Sequence, residues 1–248
     1  MNLGLEGRTA VVCGASAGMG LAIAEGLAAE GANVAMFARR RDVLGREAER
    51  IGGLAVRGDL TVPGDLEKLV DRTVKAFGGV DVLVNNGGGP GRGIAVGLDP
   101  TAVESAVELL LLPVVRLTNL CLPYLEQSGR GRIVNIESSS VREPLEGLVL
   151  SNAVRPGVIG WAKTLAREVA GKGITVNTIA PGRIDTERLA EGFSNDTVRE
   201  RAAAEVPAQR FGSPAEIAHV VCFLASDQAG YVTGAVVPVD GGLTRSLL

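Results

Sequence analysis

The stretch from Ala10 to Arg40 constrains the fold more than any other part of the chain. It begins with a short apolar run, passes through a turn with three glycines, and becomes rich in alanine and leucine before a second apolar run that ends at Arg39. This order predicts a strand, a turn, a helix and a parallel strand. Glycines in such a turn let the backbone approach a phosphate, and the N–H groups at the following helix start attract negative charge. The sequence therefore predicts an anion-binding site here.

The glycines of this turn are Gly14, Gly18 and Gly20, with the spacing G-x-x-x-G-x-G rather than the better-known G-x-G-x-x-G. A strand before the turn, a helix after it and a unit of about 30 residues are the context that dinucleotide binding requires. We therefore predict a dinucleotide site that includes these glycines together with Ser16 and Met19. The alternative is that the glycines only allow close packing of a strand-to-helix turn that binds no ligand.

The end of the second strand indicates which dinucleotide is bound. A site for NAD(H) usually has a carboxylate there that binds the ribose 2′-hydroxyl, but Ala38 occupies this place and Arg39 and Arg40 follow it. Because an arginine pairs well with a 2′-phosphate, the sequence favours NADP(H) over NAD(H). The alternative is that both arginines are solvated surface residues.

Composition narrows the classes of protein to which the chain can belong. It has 248 residues, 46% of them hydrophobic, which suits one α/β domain with a large core. A net charge of −3 argues against nucleic acid or an anionic membrane as the main partner. No apolar run approaches the length of a membrane span, and the amino terminus lacks a signal-peptide pattern. We therefore expect a soluble, cytoplasmic protein.

The cysteines and the single histidine predict no metal site. Cys13, Cys121 and Cys222 are widely spaced in apolar surroundings, as expected of reduced core thiols, which agrees with a cytoplasmic location. His219 is on a predicted helix and has no cysteine or histidine at ligand spacing. We interpret it as a structural or surface residue.

Strands and helices alternate along the rest of the chain. Predicted strands lie at 54–60, 80–84, 132–136, 174–180 and 235–239, and predicted helices lie at 41–51, 66–77, 101–127, 156–170 and from 214 onward. Unbroken apolar runs suit strands that are covered on both faces. The predicted fold is α/β, a single doubly wound parallel sheet of the Rossmann type in three layers, formed by residues 1–248 as one domain. Its site lies at the carboxyl ends of the strands, and residues 187–212, which are polar and poorly periodic, are expected to form a substrate lid.

Nine short motifs make the chain similar to the short-chain dehydrogenase/reductase family from its first strand to its last. They are CGASAGMG at 13–20, GDL at 58–60, NNGG at 85–88, GRIVNIESS at 131–139, ITVNTIAPGRIDT at 174–186, RFGSPAE at 210–216, FLAS at 223–226, YVTG at 231–234 and VDGG at 239–242. Each motif is weak alone, but together and in this order they are specific. The chain resembles the 3-oxoacyl-carrier-protein-reductase type within that family.

The resemblance implies an oxidoreductase that retains most of its cofactor site. It places Asp59 and Leu60 beside the adenine, and Asn86 and Gly88 along the adenosine ribose. At the nicotinamide end it implies contacts from Pro181, Gly182, Ile184 and Thr186. Family members commonly form tetramers, so a homo-tetramer or homodimer that acts on a small-molecule substrate is expected.

Three of the four catalytic positions differ from the family pattern. The family uses a tyrosine, whose pKa is lowered by a lysine four residues later, to protonate the developing alkoxide, while a serine polarises the carbonyl. Ser138 matches the serine, whereas Ser151 and Arg155 stand where the tyrosine and lysine are expected. Leu110 replaces an asparagine on the long helix. Neither of the two tyrosines of the chain falls in a register that restores the missing one.

The altered positions still permit binding of a substrate. Arg155 can hydrogen-bond to the nicotinamide ribose, but a guanidinium does not deprotonate in proteins and cannot relay a proton. Ser138 and Ser151 can orient a carbonyl oxygen, although an unactivated hydroxyl is a poor acid. Three glutamates follow the fifth predicted strand. If one of them were buried, its pKa would rise and it could serve as the proton donor. We expect instead that all three are solvated loop charges. These glutamates are Glu137, Glu143 and Glu146.

Two prolines predict irregular helices near the site. Because the residue before a proline is pushed out of the helical region, we expect a helix to begin at Pro156 and the segment from Ser151 to Arg155 to be partly unwound. Pro113 removes the amide that would bond to the Leu109 carbonyl, so we expect a kink there and a carbonyl that can bind water.

Two functions are consistent with these features. The first is an NADP(H)-dependent oxidoreductase with a non-standard active site, acting on a carbonyl, an alcohol or an activated double bond. The second is a catalytically silent nucleotide-binding relative that serves as a sensor or as a subunit of an oligomer. The retained nucleotide motifs agree with both functions.

Overall fold

Seven parallel strands form one sheet at the centre of the protein. The computed structural model describes residues 2–192 and 195–247, and every strand within these residues belongs to this sheet. The strands are β1 (Thr9–Cys13), β2 (Asn33–Ala38), β3 (Leu54–Arg57), β4 (Val82–Asn86), β5 (Arg132–Ile136), β6 (Thr175–Pro181) and β7 (Val236–Val239). Their order is β3-β2-β1-β4-β5-β6-β7, and all neighbours are parallel. The predicted doubly wound, Rossmann-type α/β fold is confirmed.

The chain changes its direction of progress across the sheet at β1. From β1 it moves outward through β2 and β3, and it then crosses back so that β4 pairs with the other side of β1, with Val11 opposite Leu83. In open α/β sheets a crevice forms beyond the carboxyl ends of the two strands at such a reversal, and ligands bind there. The glycine turn follows β1 and the NNGG motif overlaps the end of β4, so the fold brings both motifs to this crevice.

Helices cover both faces of the sheet and complete the three layers. They are α1 (Gly18–Ala29), α2 (Arg41–Arg50), α3 (Pro63–Phe77), α4 (Pro100–Leu110), α5 (Leu112–Ser128), α6 (Val149–Val169), α7 (Glu187–Ala190), α8 (Asp196–Ala204) and α9 (Pro214–Ala225). On one face α1 and α9 pack together and bury Ile23 and Ile217. On the other face α3, α5 and α6 bury Leu69, Leu117 and Leu165 against the strands.

The long helix predicted for residues 101–127 is divided into α4 and α5 at Leu111. Pro113 lies in the first turn of α5 and has no amide hydrogen to donate to the carbonyl of Leu109, which explains the break. The predicted kink is therefore confirmed.

The prediction that a helix begins at Pro156 is wrong, because α6 begins seven residues earlier, at Val149. The Asn152 amide donates to the Leu148 carbonyl at 2.9 Å, and the Asn152 side chain bonds to the backbone of Leu145 (3.1 and 2.9 Å). These bonds hold the first turn of α6 in place, and its buried residues pack against α4. Tertiary contacts thus outweigh the local preference that a proline imposes on the preceding residue.

The segment predicted as a lid, residues 187–212, contains the two short helices α7 and α8. Phe193 and Ser194, which belong to this predicted lid, lie outside the described residues, as do Met1 and Leu248 at the ends of the predicted domain. The Asp185 amide donates to the Gly212 carbonyl at 2.8 Å. The two ends of the segment are therefore held close together.

One stretch, Pro100–Ser128, is long and apolar enough to cross a membrane, since an 18-residue window within it has a mean hydropathy of 1.6, although no such run is expected from the sequence. The break at Leu111 interrupts this stretch. In addition, α5 buries Leu117, Cys121 and Leu125 in the core. Core helices commonly have this composition, and length and composition alone do not make the stretch a span.

Replacing Ser213 by alanine is expected to lower the free energy of unfolding by about 1 kcal/mol, the usual cost of losing an N-cap. Ser213 Oγ accepts a hydrogen bond from the Glu216 amide (3.3 Å), and the Ser213 amide donates to Glu216 Oε2 (2.7 Å). Urea denaturation measures the change. Thr164→Ala, on the exposed face of α6, is the control and should change the free energy by less than about 0.5 kcal/mol. Equal values for the two variants would contradict the prediction.

Candidate active site

The turn between β1 and α1 has a backbone conformation that favours glycine. Gly14 and Gly18 have φ values of 63° and 54°, in a region that residues with a Cβ rarely adopt. At Gly20 an added Cβ would clash with the carbonyl oxygen of Gly14 and would lie 2.7 Å from Asn86 Nδ2. No side chain caps α1, whose N-cap residue is Ala17. A bare helix start of this kind binds anions.

Ser16 of the same turn is held by Arg40. Arg40 Nε donates to Ser16 Oγ at 3.3 Å, and Arg40 Nη2 donates to the Ser16 carbonyl at 3.2 Å. Arg40 Nη1 also lies 3.7 Å from a carboxylate oxygen of Glu187. Arg40 therefore supports the glycine turn instead of standing free as a surface residue. Met19 packs its side chain against the core beneath α1.

Arg39 lies beside the carboxyl ends of β2 and β3, in a recess that two further cations, Arg57 and Lys68, also line. Arg57 Nε donates to the Arg39 carbonyl at 3.4 Å. Asp59 and Asp65 line the same recess, and each carboxylate accepts a hydrogen bond from a backbone amide of this loop. The bond from the Thr61 amide lowers the pKa of Asp59. The recess therefore holds three cations against two acids that already have backbone partners.

The opposite wall of the crevice is formed by the end of β4 and the glycines that follow. Asn86 is buried, and its Nδ2 donates to the Cys13 carbonyl at 3.0 Å, which ties the end of β4 to the end of β1. The Gly88 carbonyl accepts a hydrogen bond from Arg155 Nη2 at 3.2 Å. Both predicted residues therefore have structural bonds in addition to their place at the crevice.

A cleft of about 360 Å³ runs between the two walls. The predicted residues that line it are Gly14, Ser16, Arg39, Arg40, Asp59, Leu60 and Gly88. Phe37, Gly89, Leu109 and Arg188 also line it and are not among the predicted residues. The sequence motifs thus converge on one elongated cleft.

The segment from the end of β6 to α7 lies at the same edge of the sheet as the crevice, although Pro181, Gly182 and Ile184 do not line the cleft itself. Pro181 ends β6, and Gly182 passes so close to Asp240 that an added Cβ would lie 2.6 Å from the Asp240 Cβ. Ile184 is buried and pairs with Gly212 through a parallel bridge. These contacts fix the path of the backbone between β6 and α7.

Thr186 connects the segment between β6 and α7 to the glycine turn. Its Oγ1 accepts a hydrogen bond from the Leu189 amide at 3.3 Å and thereby caps α7. Its methyl group lies 3.2 Å from the position that a Cβ at Gly18 would take. Of the four residues predicted for the nicotinamide end, Thr186 is thus the one in contact with the glycine turn.

The three predicted catalytic residues belong to one hydrogen-bond network. Arg155 Nε donates to Ser151 Oγ at 3.0 Å, and Ser151 Oγ lies 3.0 Å from Ser140 Oγ. Arg155 Nη1 donates to Glu137 Oε2 at 2.8 Å. Ser138 Oγ accepts a hydrogen bond from the Ser140 amide at 3.2 Å. Positions 151 and 155 are therefore in direct contact, one helical turn apart.

The expectation that Glu137 is a solvated loop charge is wrong. Its side chain is only 3% exposed and that of Arg155 only 10%. Burial raises the pKa of Glu137 to about 7, against the opposing effect of the Arg155 charge. Glu143 accepts a hydrogen bond from the Arg245 amide at 3.3 Å, and Glu146 is exposed, as expected. Glu137 differs because it directly follows β5, where α6 covers it.

A second cavity, of about 20 Å³, lies beside this ion pair. Its lining includes Glu137, Arg155, Leu109, Leu110 and Pro113. A water molecule needs at least about 10–15 Å³ of such volume and two or more polar partners. The cavity can therefore hold one water beside the carboxylate of Glu137. The side chain at position 110, where the resemblance expects asparagine, contributes only apolar surface.

Among the site residues not predicted from the sequence, two have polar side chains, Ser140 and Arg188. Ser140 is the third serine of a run, and only the packing of α6 shows that it meets Ser151. Arg188 follows the matched motif that ends at Thr186, and no local pattern distinguishes it from other lid arginines. Their positions depend on contacts between distant segments.

A parallel sheet with a glycine turn at its reversal point, a cationic recess and a cleft between them defines a dinucleotide-binding α/β protein. Comparison with known families gives a match over residues 14–244 to the family model described as enoyl-(acyl carrier protein) reductase. The 3-oxoacyl-(acyl-carrier-protein) reductase FabG of Vibrio cholerae is 38% identical over 243 residues, which cover 97% of this chain and 99% of that protein. FabG of Escherichia coli is 37% identical with the same coverage.

Solved structures agree with these matches. The L-sorbose reductase from Gluconobacter frateurii, complexed with NADPH and L-sorbose, is 33% identical and superposes with a TM-score of 0.93 over 100% of both chains. YwfH, an NADPH-dependent reductase involved in bacilysin biosynthesis, is 27% identical with a TM-score of 0.94, covering 97% of this chain and 99% of its own. The chain belongs to the short-chain dehydrogenase/reductase family of oxidoreductases.

Replacing Glu137 by glutamine should change how stability depends on pH. The folded-state pKa of Glu137 is raised from 4.5 to about 7, so its contribution to stability is present below the unfolded pKa and is lost as the pH rises through about 7. The glutamine variant does not titrate, so its free energy of unfolding should fall less between about pH 5 and pH 8 than that of the wild type. Urea denaturation across this range measures the slopes.

The exposed Glu146→Gln variant is the matched control and should keep the wild-type slope. A Glu137→Gln slope equal to that of the control would show that the carboxylate does not titrate in this range.

Proposed function

We propose that the protein is an NADP(H)-dependent oxidoreductase that transfers a hydride to or from a carbonyl or alcohol substrate through a non-standard active site. The observation that carries the proposal is the crevice between β1 and β4. Its walls are the bare glycine turn and the Gly88 backbone, and a cationic recess closes one end. A Cβ at Gly14 would lie 2.7 Å from Asn86 Nδ2, so the glycine keeps the ends of β1 and β4 close together at the base of the crevice. The residues present therefore fit a dinucleotide.

The recess around Arg39 supports NADP(H) as that dinucleotide. Arg39, Arg57 and Lys68 surround a space at the carboxyl ends of β2 and β3, where the ribose 2′ position of a bound dinucleotide lies in this class of fold. A guanidinium binds a phosphate through two parallel hydrogen bonds. The relatives named above as NADPH-dependent or NADPH-bound agree with this choice. When bound, this cofactor supplies or accepts the hydride.

The residues at the other end of the cleft bind and orient the substrate oxygen. When Ser140 donates across its 3.0 Å contact with Ser151, the Ser151 oxygen accepts from both Ser140 and Arg155, and the Ser151 hydrogen is available to donate. The oxygen of Ser138 accepts from the Ser140 amide, which leaves its hydrogen available in the same way. Glu137 is the acid of this network, and a pKa near 7 lets it hold a proton at neutral pH.

The second candidate is a nucleotide-binding relative without turnover, and one observation favours it. Arg155 is engaged on three sides, by Glu137, Ser151 and the Gly88 carbonyl. It thus takes part in the structure of the site and, as a guanidinium, cannot relay a proton. A sensor or an oligomer subunit needs a site that binds the nucleotide and does not need a group that relays a proton.

We further propose that residues 1–248 form one domain with 187–212 as a substrate lid, and that the protein acts in the cytoplasm as a homo-tetramer or homodimer. In an 18-residue window of the apolar α4–α5 stretch, 33% of the residues are buried within one chain, and Tyr231 is fully exposed. Contact between copies would cover the surface that these residues leave accessible. Cys13, Cys121 and Cys222 are free and buried, which supports a reducing compartment.

The purified protein should bind NADPH about 10- to 100-fold more tightly than NADH, the ratio that a charge-assisted hydrogen bond of about 1.5–3 kcal/mol gives. Arg39→Gln should reduce this ratio about tenfold or more, since it removes a cation from the 2′-phosphate recess. Isothermal titration calorimetry measures both constants. Arg50→Gln is the control, because Arg50 pairs with Glu25 and Glu47 at the end of α2, at the edge of the sheet opposite the cleft. Absence of binding to either nucleotide would refute the proposed function.

Hydride transfer is tested by loss of NADPH absorbance with a panel of aldehydes, ketones and a conjugated enone. The wild type should react with at least one of them, and Ser151→Ala should lower its kcat about 100-fold, the usual effect of removing one donor to a developing oxyanion. The double variant Ser151→Tyr/Arg155→Lys tests whether the usual family pair restores turnover. If neither the wild type nor the double variant reacts with any compound, the second candidate replaces the first.

A further inference from the structure

Arg188 crosses the cleft from the lid to the opposite wall. It belongs to α7, which begins directly after Thr186, and Thr186 touches the glycine turn at Gly18. At the other end of its side chain, the guanidinium carbon lies 2.9 Å from the position that a Cβ would take at Gly89, and Nη1 lies 3.8 Å from that position at Gly88. The absence of a side chain at Gly89 makes room for the guanidinium, whereas the distance at Gly88 is an ordinary contact. Arg188 thus spans both walls of the crevice.

Arg188 forms no ion pair with any carboxylate among the residues that the structure describes. Partial burial lowers the pKa of Arg188, and the nearby positive charge of Arg155 lowers it further, while Glu191 acts in the opposite direction. Arg155 already forms its ion pair with Glu137, and Glu187 forms one with Arg40. Throughout residues 2–192 and 195–247, no carboxylate lies within ion-pairing distance of Arg188. Two like charges in a partly desolvated cleft repel each other, and an anion between them would remove the repulsion.

The position of Arg188 indicates which anion this is. It lines the same cleft as Gly14 and Ser16 of the glycine turn, whose helix start binds phosphate groups. The 2′-phosphate recess around Arg39 is at the other end of that cleft. Between the recess and the reacting end, a dinucleotide carries one anionic group, its diphosphate.

We propose that Arg188 binds the diphosphate of the cofactor and so holds α7 across the cleft. This inference rests on the proposed function, because it requires a dinucleotide in the cleft. Glu187 and Arg188 are adjacent, and they reach Arg40 on the glycine-turn side and Gly89 on the other side. Binding of the diphosphate by Arg188 therefore holds the segment after Thr186 across the cleft from both walls.

The test compares two ligands, NADP⁺ and adenosine 2′-monophosphate, by isothermal titration calorimetry. The second ligand contains the 2′-phosphate and lacks the diphosphate. Arg188→Gln should weaken binding of NADP⁺ about tenfold or more, the loss expected for one charge-assisted contact, and should leave binding of adenosine 2′-monophosphate unchanged. Arg39→Gln should weaken both ligands. Arg188→Lys, which keeps the charge, should retain part of the affinity for NADP⁺.

Arg201→Gln is the matched control, because Arg201 is an exposed arginine of the same lid segment and the change in net charge is identical. Equal thermal melting temperatures show that the variants are folded. If the wild type binds NADP⁺ and Arg188→Gln behaves like Arg201→Gln, the inference is wrong while the proposed function stands. An equal loss for both ligands in Arg188→Gln would also overturn it. If the wild type binds neither ligand, the proposed function and the inference fail together.

Discussion

The bond from the Asn86 side chain to the Cys13 carbonyl joins the ends of β1 and β4 at the point where the chain reverses across the sheet. Gly14 and Gly20 pack against the same amide, and neither position has space for a Cβ. A larger residue at either glycine would push the turn away from β4 and change the width of the crevice. The cleft, the bare start of α1 and the approach of α7 through Thr186 all depend on this close contact.

The second constraint is the buried pair of Glu137 and Arg155. A charge removed from water is costly unless it is paired, and breaking a buried pair by removing one partner typically costs about 3–5 kcal/mol. Here the pair holds the guanidinium so that it also reaches Ser151 and the Gly88 carbonyl. The position where the resemblance expects a lysine thus has a guanidinium fixed by a carboxylate. The pKa of that carboxylate is about 7, and it lies within the same network as Ser151, where the resemblance expects a tyrosine.

Local patterns predicted the elements whose formation depends on neighbouring residues. The glycine turn, the start of α9 at Pro214 and the break near Pro113 follow from steric and hydrogen-bonding rules that act within a few residues. The start of α6 did not follow from such a rule, because contacts with α4 and with Leu145 keep the residues before Pro156 helical. Glu137 was misjudged for a related reason. Its partner is 18 residues away and reaches it only when α6 packs beside β5.

The sequence by itself determined the parallel sheet, the order of its elements and the chemical character of the cleft, because apolar periodicity, glycine spacing and the two arginines after β2 act locally. The tertiary structure decided which charges are buried and which polar groups meet. It also determined the contacts of three arginines that lie close together in space. Arg39 lies in the cationic recess, Arg40 donates to the Ser16 carbonyl, and Arg57 donates to the Arg39 carbonyl. It also set Arg188 across the cleft. Burial and long-range pairing depend on how distant segments pack, and no short stretch of sequence contains that information.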